Sequence, residues 1–588
     1  MTSKQRAWGQ FSTPIDVADL LLGFCLRRSD DRLLDPGCGD GALLRRAAQW
    51  RSWLAAGFPE EADTLHGIEL DPEAALAAAT VPGAVIERAN FFTLDPDDYP
   101  PFDTIIGNPP YTRAEWIEHI EFDPGQSTLF PGEVMDDVLA GMLPKRLGAA
   151  LSGRAGLYAY FFLHSLGFLR EGGRLGFVVP NGWLDVAYGE ALKRFLLDHF
   201  RIVSVIESAV ERWFSSARVN TCLIILERSD DPQSRKANRV RFVRLRRPLH
   251  ELLGHDTDSR RVAAVEQLVT RLMPAADRTT PGASVRVREQ GALTASERWG
   301  ALLRAPEFYL HRHARPVAPL AEWATVQRGY TTGANDFFYM DRRQVETWGI
   351  EPEYRRPLLK SLRGARSLAL SADDCRHEVL VIPPDTDLAG TAVAEYIHWA
   401  ESRGIAHRPT CAGRRPWYAL SAQPDATLVL AKGVWQRHFA PTIEDGIVVD
   451  QQIYRVDLAD GISPHEGAAL LNSVWFALAC ELGGRVNLGE GVLWLATYEL
   501  EKIMLPDPRA LDAVARRGLS SRFEALAALP VVDMAEALNR PEQRALDDFV
   551  FDLVGLAPAE REAARMALLD SLSGRRLRAR VSAATKED

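Results

Sequence analysis

The tetrapeptide Asn108-Pro109-Pro110-Tyr111 carries the clearest chemistry in the chain. An amino group on an aromatic base has its lone pair drawn into the ring and is a poor nucleophile. The side-chain oxygen of Asn108 and the backbone carbonyl of Pro109 can each accept one N–H bond from such a group. Together they would pull the nitrogen towards tetrahedral geometry and aim its lone pair at an electrophilic carbon. The two prolines fix the backbone, so the acceptors are set before any reaction. Tyr111 adds a flat face on which the base can stack. Proton loss can follow the transfer, so no general base of unusual pKa is needed. Chance alone would produce this tetrapeptide in roughly one chain of this length in several hundred.

A second signal is the turn Asp35-Pro36-Gly37-Cys38-Gly39-Asp40-Gly41, which leaves a strand and enters a helix. Its glycines let the backbone turn tightly and approach a ligand without Cβ atoms in the way. Alone it is weak, because many α/β proteins use such a turn for packing. Support comes from Glu69-Leu70, at the end of the next strand, where a carboxylate can accept both hydroxyls of a ribose. Residues 51–63 account for the long gap between Gly41 and Glu69, and Asp71 suits the cap of a following helix. After the third strand, Asn90 can bond the edge of an adenine while Phe91 stacks on its face; for Phe91 and Phe92 taken alone, core packing is the simpler reading. No Walker-type phosphate loop is present. An adenosine without polyphosphate is the ligand these residues suit, and S-adenosylmethionine fits.

Positioning these residues requires an α/β sheet. The first 230 residues alternate short apolar runs with helical patterns. The runs predict strands near 32–34, 65–68, 84–86, 104–106, 175–179, 203–206 and 222–226, with helices over 41–50, 158–169 and 185–200. The fold class expected is a Rossmann-like, doubly wound, mostly parallel seven-stranded sheet. Residues 207–220 read as a loop and not a crossover helix, which predicts an antiparallel edge strand. Residues 231–298 read as a basic, partly helical connector, 299–508 as a separate α+β domain, and 509–588 as a helical tail.

Composition bounds the function. With 588 residues, two or three domains are expected. Six scattered cysteines without CxxC spacing predict neither a zinc site nor disulfides, and suit a reduced, cytoplasmic protein. The first ten residues lack a signal-peptide pattern, and the apolar stretch 17–26 is shorter than the roughly 20 residues of a membrane span. A net charge of −10 does not exclude nucleic acid, since phosphate binding needs only a local basic surface. Residues 235–247 carry seven basic and no acidic side chains, and read equally as such a surface or as a solvated strand or linker.

The motif order resembles the gamma-class amino-methyltransferases of DNA, the adenine methyltransferases and modification subunits of restriction systems. Residues 9–14, with Thr13 and Pro14, are similar to the family's opening cofactor segment. Residues 158–162 and 173–181 are similar to its middle motifs. In residues 213–219, Phe214 matches the aromatic position that clamps a flipped adenine opposite the catalytic tyrosine; otherwise it is a core ring at a loop end. Residues 327–338, 471–473 and 483–485 resemble the recognition domain. The resemblance implies S-adenosylmethionine bound by Thr13, Pro14, Asp35 to Gly39, Glu69, Leu70, Asn90, Phe91 and Asn108. It also implies a base flipped out of duplex DNA into a pocket walled by Tyr111 and Phe214. Arg328, Thr332, Asn335, Arg414, Arg415 and Lys432 are candidate DNA contacts, for which a phosphate contact or a solvated surface group is a simpler reading than a base reader. Asn90 stands where the family usually has Asp, which predicts weaker cofactor affinity. A monomer acting on DNA beside a separate restriction endonuclease is the expected arrangement. Methylation of an RNA base, of a protein glutamine or of cytosine, and a bifunctional enzyme that also cuts DNA, are the alternatives. The motif at residue 9 leaves no room for a preceding nuclease, and no nuclease core is recognisable in the tail.

Overall fold

The computed structural model describes residues 12–55, 64–111, 156–186, 188–214, 220–254, 258–485 and 491–584, with side chains as far as 576. Residues 9–11 of the opening segment, 56–63 of the predicted insertion and 215–219 lie outside the described residues. The chain divides into two compact units, one of residues 1–304 with 488–490 and 576–588, the other of residues 305–487 with 491–575.

The first unit is built on strands β1 (Leu33–Asp35), β2 (Leu65–Glu69), β3 (Ala84–Arg88), β4 (Phe102–Gly107), β5 (Leu169–Pro180), β6 (Phe200–Ser208), β7 (Thr221–Arg228), β8 (Arg239–Leu245), β9 (Arg278–Thr279) and β10 (Ala283–Glu289). They form one mixed sheet in the order β3-β2-β1-β4-β5-β7-β6-β8-β10-β9. The period-two geometry of a strand sends alternate residues to opposite faces, and here both faces are cores. Leu34, Ile105, Leu175, Phe177, Ile224 and Val205 enter one cluster. Leu33, Ile106, Val178, Leu223, Ile225 and Ile206 enter the other. Burial on both sides is why these strands read as continuous apolar runs.

The first cluster is covered by helices Tyr158–Phe168 and Gly189–His199. The second is covered by α1 (Ile15–Cys25), α2 (Ala42–Leu54) and α3 (Arg260–Leu272). The carboxylate of Asp19 on α1 ties these three helices together. Its Oδ1 accepts from Arg46 Nε at 2.6 Å and Trp50 Nε1 at 2.7 Å, and its Oδ2 accepts from Arg46 Nη2 at 2.8 Å and Arg261 Nε at 2.7 Å. Asp19 is fully buried, and a buried carboxylate is tolerated only when paired in this way.

Two expectations are corrected. The seven expected strands are present, but the sheet continues to ten, because residues 231–298 are not a connector. Within the basic stretch, Val240 and Phe242 enter one core and Val243 and Leu245 the other, so the arginines between them lie on a strand. The antiparallel strand is β7, and it lies inside the sheet between β5 and β6, not at the edge.

The second unit holds, among the described residues, two small sheets and two further strand pairs, Ala318–Pro319 with Met504–Leu505 and Gly433–Val434 with Leu493–Trp494. A five-stranded sheet runs in the order Ala324–Arg328, Ile453–Leu458, Leu428–Ala431, Thr442–Ile443, Ala369–Leu370, and a four-stranded sheet contains Tyr339–Met340, His377–Leu380, Arg355–Leu359 and Val448–Val449. Beyond residue 509 the chain is helical, with Ala513–Ala527, Pro541–Leu553 and Pro558–Ala584. Arg575 on the last helix binds the buried Glu481, with Nε to Oε2 at 2.9 Å, and His438 Nε2 meets Oε1 of the same carboxylate at 2.7 Å.

Candidate active site

Strands β1 to β4 are parallel neighbours, so their carboxyl ends share one edge of the sheet. Asp35, Glu69, Asn90 and Asn108 therefore converge from four successive strand ends, where open α/β sheets hold their ligands. Asp35 is 1% exposed, and its Oδ1 accepts from the Gly37 N–H at 3.4 Å. Glu69 grips the turn from below: Oε2 accepts from Gly39 N and Oε1 from Asp71 N, both at 2.8 Å. Each oxygen keeps a second lone pair for a hydroxyl donor. Burial raises both carboxyls, that of Asp35 to about 8.

Gly39 is left-handed, with φ +54°, and a Cβ built on it would meet nothing within 4 Å, which leaves open space beside the turn. Gly107 does the opposite. A Cβ there would come 3.1 Å from the Phe177 ring and 3.4 Å from Asp35 Oδ1, so a larger residue just before Asn108 would crowd the Phe177 ring beside the buried acid. Pro14 precedes α1, with its carbonyl accepting from Ala18 N at 3.0 Å, and Thr13, Pro14 and Leu70 are half-buried. Cys38 N donates to Ile68 O at 3.0 Å and its side chain is buried in the core, while Pro36 and Gly37 complete the turn. Two buried carboxyl groups beside an open glycine turn suit a ligand that carries a positive charge and ribose hydroxyls.

Asn90 caps the short turn after β3, with Oδ1 accepting from Phe92 N at 3.1 Å. Its amide oxygen is thus engaged by the backbone. Phe91 is 3% exposed, stacked on Phe161 at 5.5 Å between ring centroids and edge-on to His164 at 4.7 Å. The ring sits in the core cluster, as its simpler reading expects. Asp71 caps the helix Pro72–Ala78 through Glu73 N at 3.2 Å.

Asn108 and Pro110 are half-buried and Pro109 is buried. Tyr111 donates its hydroxyl to Asn108 Oδ1 at 2.6 Å. Burial holds this phenol well above its usual pKa, with Cys222 adding to the rise, so it remains the donor. The antiparallel direction of β7 explains how Phe214 arrives. Pro180 at the end of β5 pairs with Thr221 at the start of β7, so the loop between β6 and β7 opens on the edge that carries Asn108. Glu211 Oε1 in that loop accepts from Leu249 N at 2.8 Å. Phe214, 4% exposed, meets Tyr111 edge to face, with centroids 6.1 Å apart and planes at 89°.

The candidate DNA contacts lie in the second unit, where Thr332, Asn335 and Arg414 share one hydrogen-bonded loop. Thr332 is 1% exposed and spends its hydroxyl within the loop, on Asn335 and Ala334. Arg414 gives its guanidinium to the carbonyls of Thr332 and Thr331, each at 2.8 Å. Thr332 is thus buried within the loop, and Arg414 is half-buried against it. Arg328, Asn335 and Arg415 are exposed, and Lys432 lies over the Trp494 ring at 5.6 Å. Sequence reasoning gave no role to Gly107 or Phe161. A glycine immediately before Asn-Pro-Pro-Tyr was the available signal for the first.

Comparison with known proteins bears on this arrangement. Residues 82–214 match the family model described as Eco57I restriction-modification methylase, and residues 301–537 match that of the C-terminal domain of Type II methyltransferase M.Eco57I. The chain is 31% identical over 195 residues to Type II methyltransferase M.TthHB8I of Thermus thermophilus, covering 33% of this chain and 40% of the relative. It is 24% identical over 539 residues to Type II methyltransferase M.XamI of Xanthomonas campestris pv. amaranthicola, covering 86% of each. The solved structure of the Type IIL restriction-modification enzyme MmeI in complex with DNA shares the fold, with a TM-score of 0.57 at 14% identity over 95% of this chain and 75% of that one. These matches support a restriction-modification methyltransferase. Among the described residues no helix is long and apolar enough to cross a membrane.

Proposed function

We propose that this chain is a site-specific DNA methyltransferase that moves the methyl group of S-adenosylmethionine to N6 of an adenine flipped out of the duplex. The observation that carries the reading is that the two motifs lie side by side: β1, which ends at Asp35, pairs in parallel with β4, which leads into Asn108. S-adenosylmethionine would supply an electrophilic methyl group. Asp35 would hold a cationic part of it, Glu69 the ribose hydroxyls, and the segment Asn90-Phe91 the rim of its adenine, with Thr13 and Pro14 beside the methionine end. Asn108 and the Pro109 carbonyl would accept the two N–H bonds of the target amine, and Tyr111 and Phe214 would flank its ring. The second unit would hold the duplex, and a cognate restriction endonuclease is the partner that the modification role implies.

The test is transfer of tritiated methyl from S-adenosylmethionine to duplex DNA, followed by nucleoside chromatography. Label in N6-methyladenine that disappears with Asn108→Ala is the expected result. Label in N4-methylcytosine, or transfer only to RNA or protein, would overturn it.

A further inference from the structure

A cleft in the second unit, of about 670 Å³, is lined by Arg363, Gly364, Ala365, Arg366, Asp374, Arg376, Arg437, Pro530 and Val531. Four arginines and one acid are among its lining residues. Arg437 is the scaffold, donating to the carbonyls of Ala365 at 2.8 Å, Leu362 at 3.1 Å and Arg363. The far wall is pinned by Val531 N on the carbonyl of Arg366 at 2.8 Å. Asp374 has Oδ2 occupied by the Ser371 N–H at 3.0 Å.

The other three guanidiniums are different. Arg363, Arg366 and Arg376 are exposed, and among the described residues none has a carboxylate within ion-pair distance. Acids are not scarce in this chain, with 79 Asp and Glu against 69 Lys and Arg. Among the described residues of the same unit, many arginines are paired, as Arg315 with Glu560, Arg355 with Glu378, Arg408 with Asp336, Arg516 with Glu466 and Arg565 with Asp548, and single ones such as Arg343 and Arg403 are not; the cleft differs in gathering three. Gathering three unpaired like charges in one concavity is unfavourable unless an anion enters. Arginine in place of lysine suits an oxyanion with several oxygens, because its planar fork donates two parallel N–H bonds. The cleft is far larger than one phosphate group, and it is open to solvent on the side of Gly364, where a Cβ would meet nothing within 4 Å.

We infer that this cleft is a phosphate site, and that the phosphates it takes are consecutive groups of the DNA backbone. The inference rests on the DNA reading above and adds residues to it. Contacts of this kind position a duplex and carry no base preference.

Binding to a labelled duplex, measured by fluorescence anisotropy from 50 to 200 mM salt, tests it on the full chain. Each phosphate contact contributes about 0.9 to the slope of log affinity against log salt. The Arg363→Gln/Arg366→Gln/Arg376→Gln variant should lose up to about 2.7 in slope, so that the wild-type chain weakens about 40-fold more than the variant over that range. Preference among DNA sequences should be unchanged, and melting temperature checks that the variant is folded. Arg376→Gln alone should lose about 0.9. An unchanged slope in folded variants, while the wild-type chain binds DNA, overturns the inference and leaves the DNA reading standing. If the wild-type chain binds no DNA but inorganic tripolyphosphate raises its melting temperature and not that of the variant, the DNA source is wrong and the phosphate chemistry holds. Failure of both ligands on the wild-type chain removes the inference together with the DNA reading.

Discussion

Tyr111→Phe is expected to make the target base easier to flip, not harder. The hydroxyl of Tyr111 sits on Asn108 Oδ1 at 2.6 Å, on the oxygen that the target amine would need. The Tyr111 and Phe214 rings also touch edge to face at 6.1 Å. A base between two parallel rings needs about 7 Å, one contact distance of ~3.5 Å on each side. Entry of the base must therefore break one hydrogen bond and turn at least one ring. A neutral hydrogen bond contributes a net ~0.5–1.5 kcal/mol, or about 2- to 13-fold in an equilibrium. Tyr111→Phe keeps the stacking face and removes that cost. Tyr111→Ala removes the face as well, losing ~1–3 kcal/mol of base stacking. With 2-aminopurine at the target position, Tyr111→Phe should raise the fluorescence of the flipped state and Tyr111→Ala should lower it, single-turnover methylation following in the same order. If Tyr111→Phe flips no more of the base than the wild-type chain, the hydroxyl does not guard Asn108 and the reasoning fails.

Further outcomes follow from the same geometry. Asn108→Ala should lower the single-turnover rate by about 10²- to 10³-fold, as loss of one preorganised polar group does, with the dissociation constant for DNA unchanged by filter binding. Burial lifts Asp35 from 3.8 to about 8, so the carboxylate that a cationic ligand needs forms only as pH rises through about 8. S-adenosylmethionine affinity, followed by calorimetry, should climb by up to about tenfold per pH unit below that value and flatten in Asp35→Asn. Stability of the ligand-free chain runs the other way, because the folded pKa lies above the unfolded one. The contribution of protonated Asp35 is complete below 3.8 and lost as pH rises through about 8. Arg575→Ala should destabilise the second unit by up to roughly 3–5 kcal/mol in urea unfolding, since it leaves the buried Glu481 with His438 as its remaining partner. Burial alone would raise that carboxyl, but His438 and Arg575 outweigh it and bring it down to about 2. Its stabilisation is present above 4.5 and lost as pH falls through about 2.

Much of the first unit was legible because local chemistry and the final fold agree. β1, β2 and β4 each end at the residue pattern that marks them, and Asp71 caps the helix that follows it. β8 was misread because arginines dominate its composition, whereas its placement follows Val240, Phe242, Val243 and Leu245. Pairing order is decided by tertiary packing, so a loop between β6 and β7 could announce an antiparallel strand but not its place inside the sheet. At the candidate site, the types and spacing of Asp35, Glu69 and Asn108 announced the strand ends at which they sit. The Tyr111–Asn108 bond and the burial of Phe91 were out of reach, since both depend on where side chains from distant segments come to rest. The arginine cleft was hidden for the same reason: Arg363, Arg366 and Arg376 are close in the chain, but Arg437 and Val531, which complete the cleft, come from distant segments.

The clasp around Asp19 limits how this chain can be recombined with its relatives. Arg261 reaches that carboxylate from 242 residues further along, and α3, which carries it, packs on the same core as the helix that follows Thr13 and Pro14. A chimera joined after residue 230 would import a foreign partner for the segment expected to cradle the methyl donor. Grafts intended to exchange specificity should instead be spliced beyond Arg304, where the first unit's own chain ends its main run.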